Sequence, residues 1–359
     1  MPYNTAQLNL LEPQMQVVLR QLSKQVNRVF VSGAGGFLGK ALCRHLRAAD
    51  IGVVGFARGE YPDVKQMGVE LIKGDIADKQ ALLDAMQGCD LVFHVASKAG
   101  VWGSKKSYFS ANVSGTENIL AACRSLNIPR LVYTSTPSVT FAGQDESGID
   151  ESQPYAEQFL NFYGLSKAIA EQTVLQANAL PLKNKTPLKT VALRPHLIWG
   201  PGDPHLVPRV LQRAKAGKLK LVGKEDKLVD TIYIDNAVYA HLLAAVKLNK
   251  PTPVCAGKTY FLSNDQPILM ADMLNRILAC KGIKPVSKRI PAGVAYALGT
   301  LLEWIYLGLR KKNEPIMTRF VARQLSTSHY FNISAAKTDI NYQPLVSIEQ
   351  GMQKLKASL

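Results

Sequence analysis

From residue 28 onward, short apolar runs alternate with stretches whose apolar residues recur at helical spacing. The runs Arg28–Ser32 (RVFVS), Gly52–Ala57 (GVVGFA), Val69–Lys73 (VELIK), Leu91–Ala96 (LVFHVA) and Arg130–Ser135 (RLVYTS) predict buried strands. The segments from the glycine cluster at 33–39 through Leu46, Ala81–Met86, Asn112–Ser125 and Tyr163 through Leu175 predict helices. This alternation implies right-handed βαβ units, and so an α/β fold: a Rossmann-type, doubly wound parallel sheet with helices on both faces.

The flanks read differently. Leu8, Leu11, Met15, Val18, Leu19 and Leu22 recur at helical spacing, so residues 1–26 predict an amphipathic arm that packs on the body. The arm lacks a basic segment followed by an unbroken apolar one, which argues against a secretory signal. Past residue 195 the texture changes. Pro195, Pro201, Pro204 and Pro208, with Gly200 and Gly202 among them, mark a chain leaving the sheet. Residues 27–195 are thus expected to form the Rossmann-type domain. Residues 196–359 are expected to form mainly a smaller substrate lobe, with some segments returning to the sheet.

Composition narrows the field. Of 359 residues 47% are hydrophobic and 19% charged, which excludes wholesale disorder. Five widely spaced cysteines without a CxxC pair argue against a disulfide framework or a zinc knuckle, and no metal is expected. A reducing, cytoplasmic setting fits. The net charge is +16. There is no zinc-finger spacing, no aromatic RNP-like strand and no run of five Lys or Arg, which points away from nucleic acid. An anionic cofactor, an anionic substrate or an acidic lipid surface each answers part of the charge, as does plain solubility.

Gly33-Ala-Gly-Gly36-Phe37-Leu38-Gly39 follows the first strand and opens the first helix. Glycines there permit a tight reversal, approach of a pyrophosphate to the helix N-terminus, and close packing of helix on sheet. Ala41 follows Gly39-Lys40 where a nucleoside-triphosphate loop needs Ser or Thr, so the cluster predicts dinucleotide binding. At the end of the second strand stands Arg58, with no carboxylate before Glu60. An arginine suits a 2′-phosphate where an acid would suit a free ribose, so NADP(H) is the expected cofactor. Otherwise Arg58 is a solvated loop charge and Glu60 folds back to the ribose.

Tyr163 and Lys167 stand four apart on a predicted helix and share one face. A phenol is a poor acid or base at neutral pH. An ammonium beside it favours the phenolate, making a proton donor and acceptor for interconverting a carbonyl and an alcohol. Thr136 or, failing that, Ser135, at the end of the fifth strand, is expected to polarise the carbonyl at the carboxyl edge of the sheet.

Together with Asp75-Ile76, HVAS at 94–97, NVSGTEN at 112–118, YTST at 133–136, LRPHLIWGPGD at 193–203 and DTIYIDNAVYAHLLA from Asp230, these motifs resemble the extended short-chain dehydrogenase/reductase family over roughly residues 27–350. The resemblance implies NAD(P) held by Gly33, Gly36, Phe37 and Leu38, with Asp75 and Ile76 near the adenine. It places Ala96, Ser97, Asn112, Pro195 and Ile198 around the ribose and nicotinamide, and gives Lys167 the nicotinamide ribose as well. It also implies a homodimer through the helices carrying Asn112 and Tyr163. The segment ASKAGVWGS at 96–104 and the apolar C-terminal stretch with its basic turn are similar to the 3β-hydroxysteroid dehydrogenase branch. Within that branch the likeness is greatest to bacterial enzymes that reduce 2-alkyl-3-oxoalkanoic acids in long-chain olefin biosynthesis, and sterol-4-carboxylate 3-dehydrogenases look similar too. It implies NADPH-dependent reduction of the 3-keto group of a bulky, long-chain β-keto acid, alongside other enzymes of the same lipid pathway. The rivals are a 3β-hydroxysteroid or sterol-carboxylate dehydrogenase, a nucleotide-sugar epimerase or dehydratase, and a non-catalytic NADP sensor. Such sensors usually lack the Tyr–Lys pair.

Residues 291–309 hold a single charge, Glu303, between Lys288-Arg289 and Arg310-Lys311-Lys312. Three readings stand: an apolar surface for lipid, a partner or the substrate mouth; an ordinary core helix; or a membrane span. For a span, Glu303 would cost about 2.5–3.5 kcal/mol. Trp304, Tyr306 and the basic turn suit a helix lying at the inner membrane face.

Overall fold

The computed structural model describes residues 5–359. The elements used below are α1 (Pro13–Ser23), β1 (Arg28–Ser32), α2 (Phe37–Ala48), β2 (Gly52–Ala57), β3 (Glu70–Lys73), β4 (Leu91–His94), α3 (Gly115–Leu126), β5 (Arg130–Thr134), α4 (Phe162–Gln176), β6 (Lys189–Pro195), α5 (Ile234–Leu248), β7 (Thr259–Leu262) and α6 (Ala292–Gly308). The seven strands form one sheet in the order β7-β6-β5-β4-β1-β2-β3, every pairing parallel.

Period-two alternation places side chains on both faces, and both are buried. Val29 and Val31 of β1 join one core with Leu42 and Leu46 of α2. Phe30, between them, joins the opposite core with Val92 of β4, Ile119 of α3 and Val174 of α4. Sheets covered on both faces read as unbroken apolar runs, which is why the strands were visible without alternation. Strand ends moved slightly: β4 stops at His94 and β5 at Thr134.

The arm seats Met15, Val18, Leu19 and Leu22 of α1 in the first core, against α5. Residues 1–4 of the predicted arm lie outside the described residues. A smaller four-stranded sheet runs Ile268–Leu269, Leu228–Val229, His329–Phe331, Glu146–Ile149. The two sheets therefore interleave along the chain: Glu146–Ile149 comes from before residue 195, while β7 comes from after it and completes the main sheet.

Helix α6 buries only Ala295, Gly299 and Glu303, one stripe at four-residue spacing. A Cβ on Gly299 would stand 2.6 Å from the Thr318 carbonyl carbon, so only glycine lets the helix lie this close. Glu303 accepts from the Arg319 backbone N–H and from Arg319 Nε, both at 2.7 Å. Ala295, Tyr296 and Leu302 pack in a small cluster with Val222, Met317 and Ala322, but most of the large apolar side chains point away: Trp304 is 68% exposed, Leu307 65% and Leu301 54%. The reading of an ordinary core helix is thereby corrected, because the charge faces in and most of the hydrocarbon faces out. Among the described residues no helix is long and apolar enough to cross a membrane, which corrects the span reading too.

Candidate active site

After β3 the chain crosses back to lay β4 beside β1, so the two halves of the sheet wind apart there. Such a reversal opens a crevice at the carboxyl ends of the strands. A cleft of about 540 Å³ occupies it, within the range of small-molecule sites. It runs from Arg58 and Asp75, at the ends of β2 and β3, past the glycine turn to Tyr163 and Lys167. Of the residues expected to act in catalysis or to hold the cofactor, all line this cleft except Asn112 and the alternative ribose ligand Glu60.

The glycine turn is built by close approach. Gly33 has φ +72°, a conformation that side-chain-bearing residues rarely adopt. A Cβ on Gly39 would lie 2.1 Å from the Gly33 carbonyl oxygen, so α2 can begin only with glycine there.

Asn112 is 1% exposed and sits behind the cleft wall, in a π-helical turn, Phe109–Ser114, where an ordinary α-helix was expected. Its Oδ1 accepts from the Lys98 N–H at 2.6 Å, and its Nδ2 donates to the Lys98 carbonyl at 3.2 Å and to Ser166 Oγ at 2.9 Å. It ties the loop after β4 to α4 without facing the cleft.

A second buried network supports the floor. Ser32 Oγ accepts from the Val95 and Ala96 N–H groups, each at 3.1 Å, which leaves its proton for His94 Nδ1 at 2.7 Å. His94 Nε2–H must then donate to Thr116 Oγ1 at 2.9 Å, and that hydroxyl donates to the Asn112 carbonyl at 2.7 Å. Burial lowers the His94 pKa to about 3, with the Lys167 charge adding to it. The imidazole is neutral with a single tautomer.

At the other end Asn161 caps α4, accepting from the Gly164 N–H at 2.9 Å, and Tyr163 and Lys167 follow on its first turns. Glu171, fully buried, holds this helix to β6 through Arg194, whose Nε lies 3.1 Å from both carboxylate oxygens. Tyr155 donates to the same carboxylate at 2.8 Å. Lys167 Nζ donates to the Thr134 carbonyl at 2.6 Å and stands 4.0 Å from the Tyr133 ring centroid. Burial pulls its pKa down to about 7, against the pull of Glu171. Burial pushes the Tyr163 phenol up, partly offset by the Thr136 hydroxyl beside it. The expected lowering of Tyr163 by Lys167 is thus corrected: burial sets the direction for both groups, raising the phenol and lowering the ammonium.

Thr136 Oγ1 accepts from the Ser138 N–H at 3.2 Å and adjoins Tyr163. Ser135 donates its N–H to the Leu193 carbonyl at 2.6 Å, while its buried hydroxyl has no partner within the protein. An unanswered hydroxyl on a cleft wall fits a polar ligand.

Several lining residues escaped the sequence reading. The Tyr61 ring covers Gly35, whose Cβ would lie 2.1 Å from it. Leu197, His205 and Leu206 line it as well. These meet the cleft only through tertiary packing. Lys98 falls inside the quoted segment ASKAGVWGS at 96–104, but that likeness assigns it no role.

The sequence profile of the 3-beta hydroxysteroid dehydrogenase/isomerase family matches residues 30–290. A 2-alkyl-3-oxoalkanoate reductase of Shewanella oneidensis is 63% identical over 350 residues, covering 97% of this chain and 90% of that protein. One of Stenotrophomonas maltophilia is 50% identical over 334 residues, covering 92% and 99%. Among solved structures, UDP-glucuronic acid 4-epimerase from Bacillus cereus in complex with NAD superposes with a TM-score of 0.68 at 21% identity, covering 92% of this chain and 98% of that one; at that identity the likeness is one of fold. Motifs, sheet order and relatives agree: this chain is an oxidoreductase of the 3-beta hydroxysteroid dehydrogenase/isomerase family, within the extended short-chain dehydrogenases/reductases, acting on CH–OH or keto groups.

Proposed function

We propose that the protein reduces the 3-keto group of a 2-alkyl-3-oxoalkanoic acid to the 3-hydroxy acid with NADPH, as a step of long-chain olefin biosynthesis. The observation that carries this is the single cleft joining the glycine turn to Thr136, Tyr163 and Lys167. The two bacterial relatives carry the name of this activity. When bound, NADPH supplies the hydride. Tyr163 gives its proton to the carbonyl oxygen, Thr136 donates a hydrogen bond to the same oxygen, and Ser135 offers a second hydroxyl. Lys167 holds the nicotinamide ribose, and its charge favours the phenolate left on Tyr163 after proton transfer.

Arg58 supports NADPH over NADH. It lines the cleft at the end of β2, while Glu60 turns away to Lys73 at 3.7 Å and leaves the ribose without a carboxylate. Asp75 and Ile76 flank the adenine, and Gly33, Gly36, Phe37 and Leu38 the pyrophosphate. Ala96, Ser97, Pro195 and Ile198 surround the nicotinamide half. Alkyl chains lie against the second lobe. The exposed face of α6, beside Arg310, Lys311 and Lys312, supports peripheral contact with an anionic membrane. A homodimer through α3 and α4 completes the reading.

The test is NADPH oxidation with short and long 2-alkyl-3-oxo acids, a 3-ketosteroid and a sugar nucleotide. Long-chain keto acids should be turned over fastest. Preference for the steroid moves the protein to a hydroxysteroid dehydrogenase. Turnover of the sugar nucleotide, with cofactor retained through dialysis, makes it an isomerase.

A further inference from the structure

The nicotinamide end of the cleft carries a cation that the hydride chemistry leaves unused. Lys98 lines the cleft immediately past Ser97. Its backbone is fixed on both sides by Asn112, which takes the N–H at 2.6 Å and gives to the carbonyl at 3.2 Å. Its ammonium sits 5.1 Å from the centroid of the Tyr108 ring, and that ring lies 6.5 Å from the ring of Tyr163. The Tyr108 hydroxyl is itself tied down, donating to the carbonyls of Gly100 at 2.8 Å and Trp102 at 3.2 Å. Among the described residues no carboxylate lies within 4.0 Å of Lys98 Nζ, and no acceptor is hydrogen-bonded to it. The nearby acid, Glu314, is spent on Arg209 at 3.1 Å.

A half-buried cation on an aromatic face, with its backbone locked and no counter-ion, is arranged to receive an anion. Three anionic groups enter this cleft on the reading above: the 2′-phosphate of the cofactor, which Arg58 takes at the far end, its pyrophosphate, and the carboxylate of the substrate. The pyrophosphate belongs to the turn at 33–39, at the N-terminus of α2. Lys98 stands instead beyond the end of β4, one aromatic ring from the proton donor. In a 3-oxo acid the carboxylate carbon is two bonds from the keto carbon. A group that receives the keto oxygen at Tyr163 therefore needs its cation close by.

We propose that Lys98 binds the substrate carboxylate and so makes the enzyme selective for 3-oxo acids over neutral 3-oxo compounds. This rests on the reductase reading. It adds one chemical reason for the arrangement. A β-keto acid loses carbon dioxide most readily when its carboxyl proton passes internally to the keto oxygen. An ammonium on the carboxylate keeps it ionised and removes that proton, so the acid survives until its ketone is reduced.

The experiment compares a 2-alkyl-3-oxo acid with its methyl ester. Wild type should favour the acid in kcat/KM by about tenfold or more. Lys98→Met should raise KM for the acid by about tenfold or more, leave the ester unchanged, and leave the Kd for NADPH unchanged. Lys98→Arg should restore most of the preference. Equal losses on acid and ester overturn the proposal, as does an unchanged KM for the acid. A weakened NADPH Kd in Lys98→Met overturns it in favour of the pyrophosphate. Indifference of wild type to esterification overturns it without any variant. If wild type reduces neither compound, the reductase reading itself has failed, and that is seen before Lys98 is touched.

Discussion

The cleft and helix α6 obey opposite rules. Beneath the cleft each polar group is matched to a named partner, from Ser32 through His94 and Thr116 to Asn112. In α6 the one carboxylate is buried and paired while the large apolar side chains stand in solvent. The network under the cleft closes within the chain. The face of α6 does not, and an exposed apolar patch of this kind is uncommon on monomeric soluble proteins.

The sharpest break of the contrast is Tyr163→Phe. It should lower kcat by about 10²-fold or more, since a positioned general acid is worth roughly that much, with NADPH affinity nearly intact; cofactor titration and initial rates check both. A variant keeping a tenth of the activity would remove the phenol from the proton path. Next comes Arg58→Ala, expected to weaken NADPH by about tenfold through lost charge-assisted hydrogen bonds while leaving NADH nearly untouched. Equal losses for the two cofactors would reduce Arg58 to a loop-positioning residue.

Lys167→Met should separate chemistry from stability. The native amine titrates at about 7 rather than its ordinary 10.5. Between those values the unfolded chain binds more protons than the native one, so this site makes stability rise with pH across that window. The penalty is complete below pH 7 and gone above 10.5. The methionine variant should therefore be inactive yet gain most in Tm over wild type at pH 6, with the gain shrinking toward pH 10. A gap that does not change with pH would show that the lysine is not desolvated as described.

On α6, Gly299→Val should lower Tm by several degrees, because the side chain meets the Thr318 backbone. Smallest of all should be the effect of replacing Leu301, Trp304 and Leu307 together by Ser: Tm within about 2 °C of wild type. The same triple variant should lose sedimentation with anionic vesicles and its preference for long chains. Marked unfolding would mean that this face packs against a part of its own chain or a second copy.

Much of the cleft was legible because its residues are local. The glycine turn, Arg58, the Thr136 hydroxyl and the Tyr163–Lys167 pair each depend on a neighbour within a few positions or on the end of a strand. Boundaries and protonation were not. The π-helical turn at Asn112 and the interleaving of the two sheets are decided by partners far along the chain. The pKa values of Tyr163 and Lys167 depend on how completely the cleft excludes water, which no spacing records. Pattern alone also left α6 open between inside and outside: its hydropathy fits either, and only the docking of Gly299 and Glu303 on Thr318–Arg319 turns the remainder outward.

The hydrogen-bond direction around His94 has a consequence for experiment. Histidines usually cloud the interpretation of rate against pH, because their ordinary pKa lies inside the accessible range. This one is held neutral down to about pH 3, and His241, whose Nε2 is 2.8 Å from Thr134 Oγ1, down to about 4. The two imidazoles beneath the reacting groups are thus silent across the working range. An inflection in the rate profile near neutrality therefore does not report either of these two imidazoles.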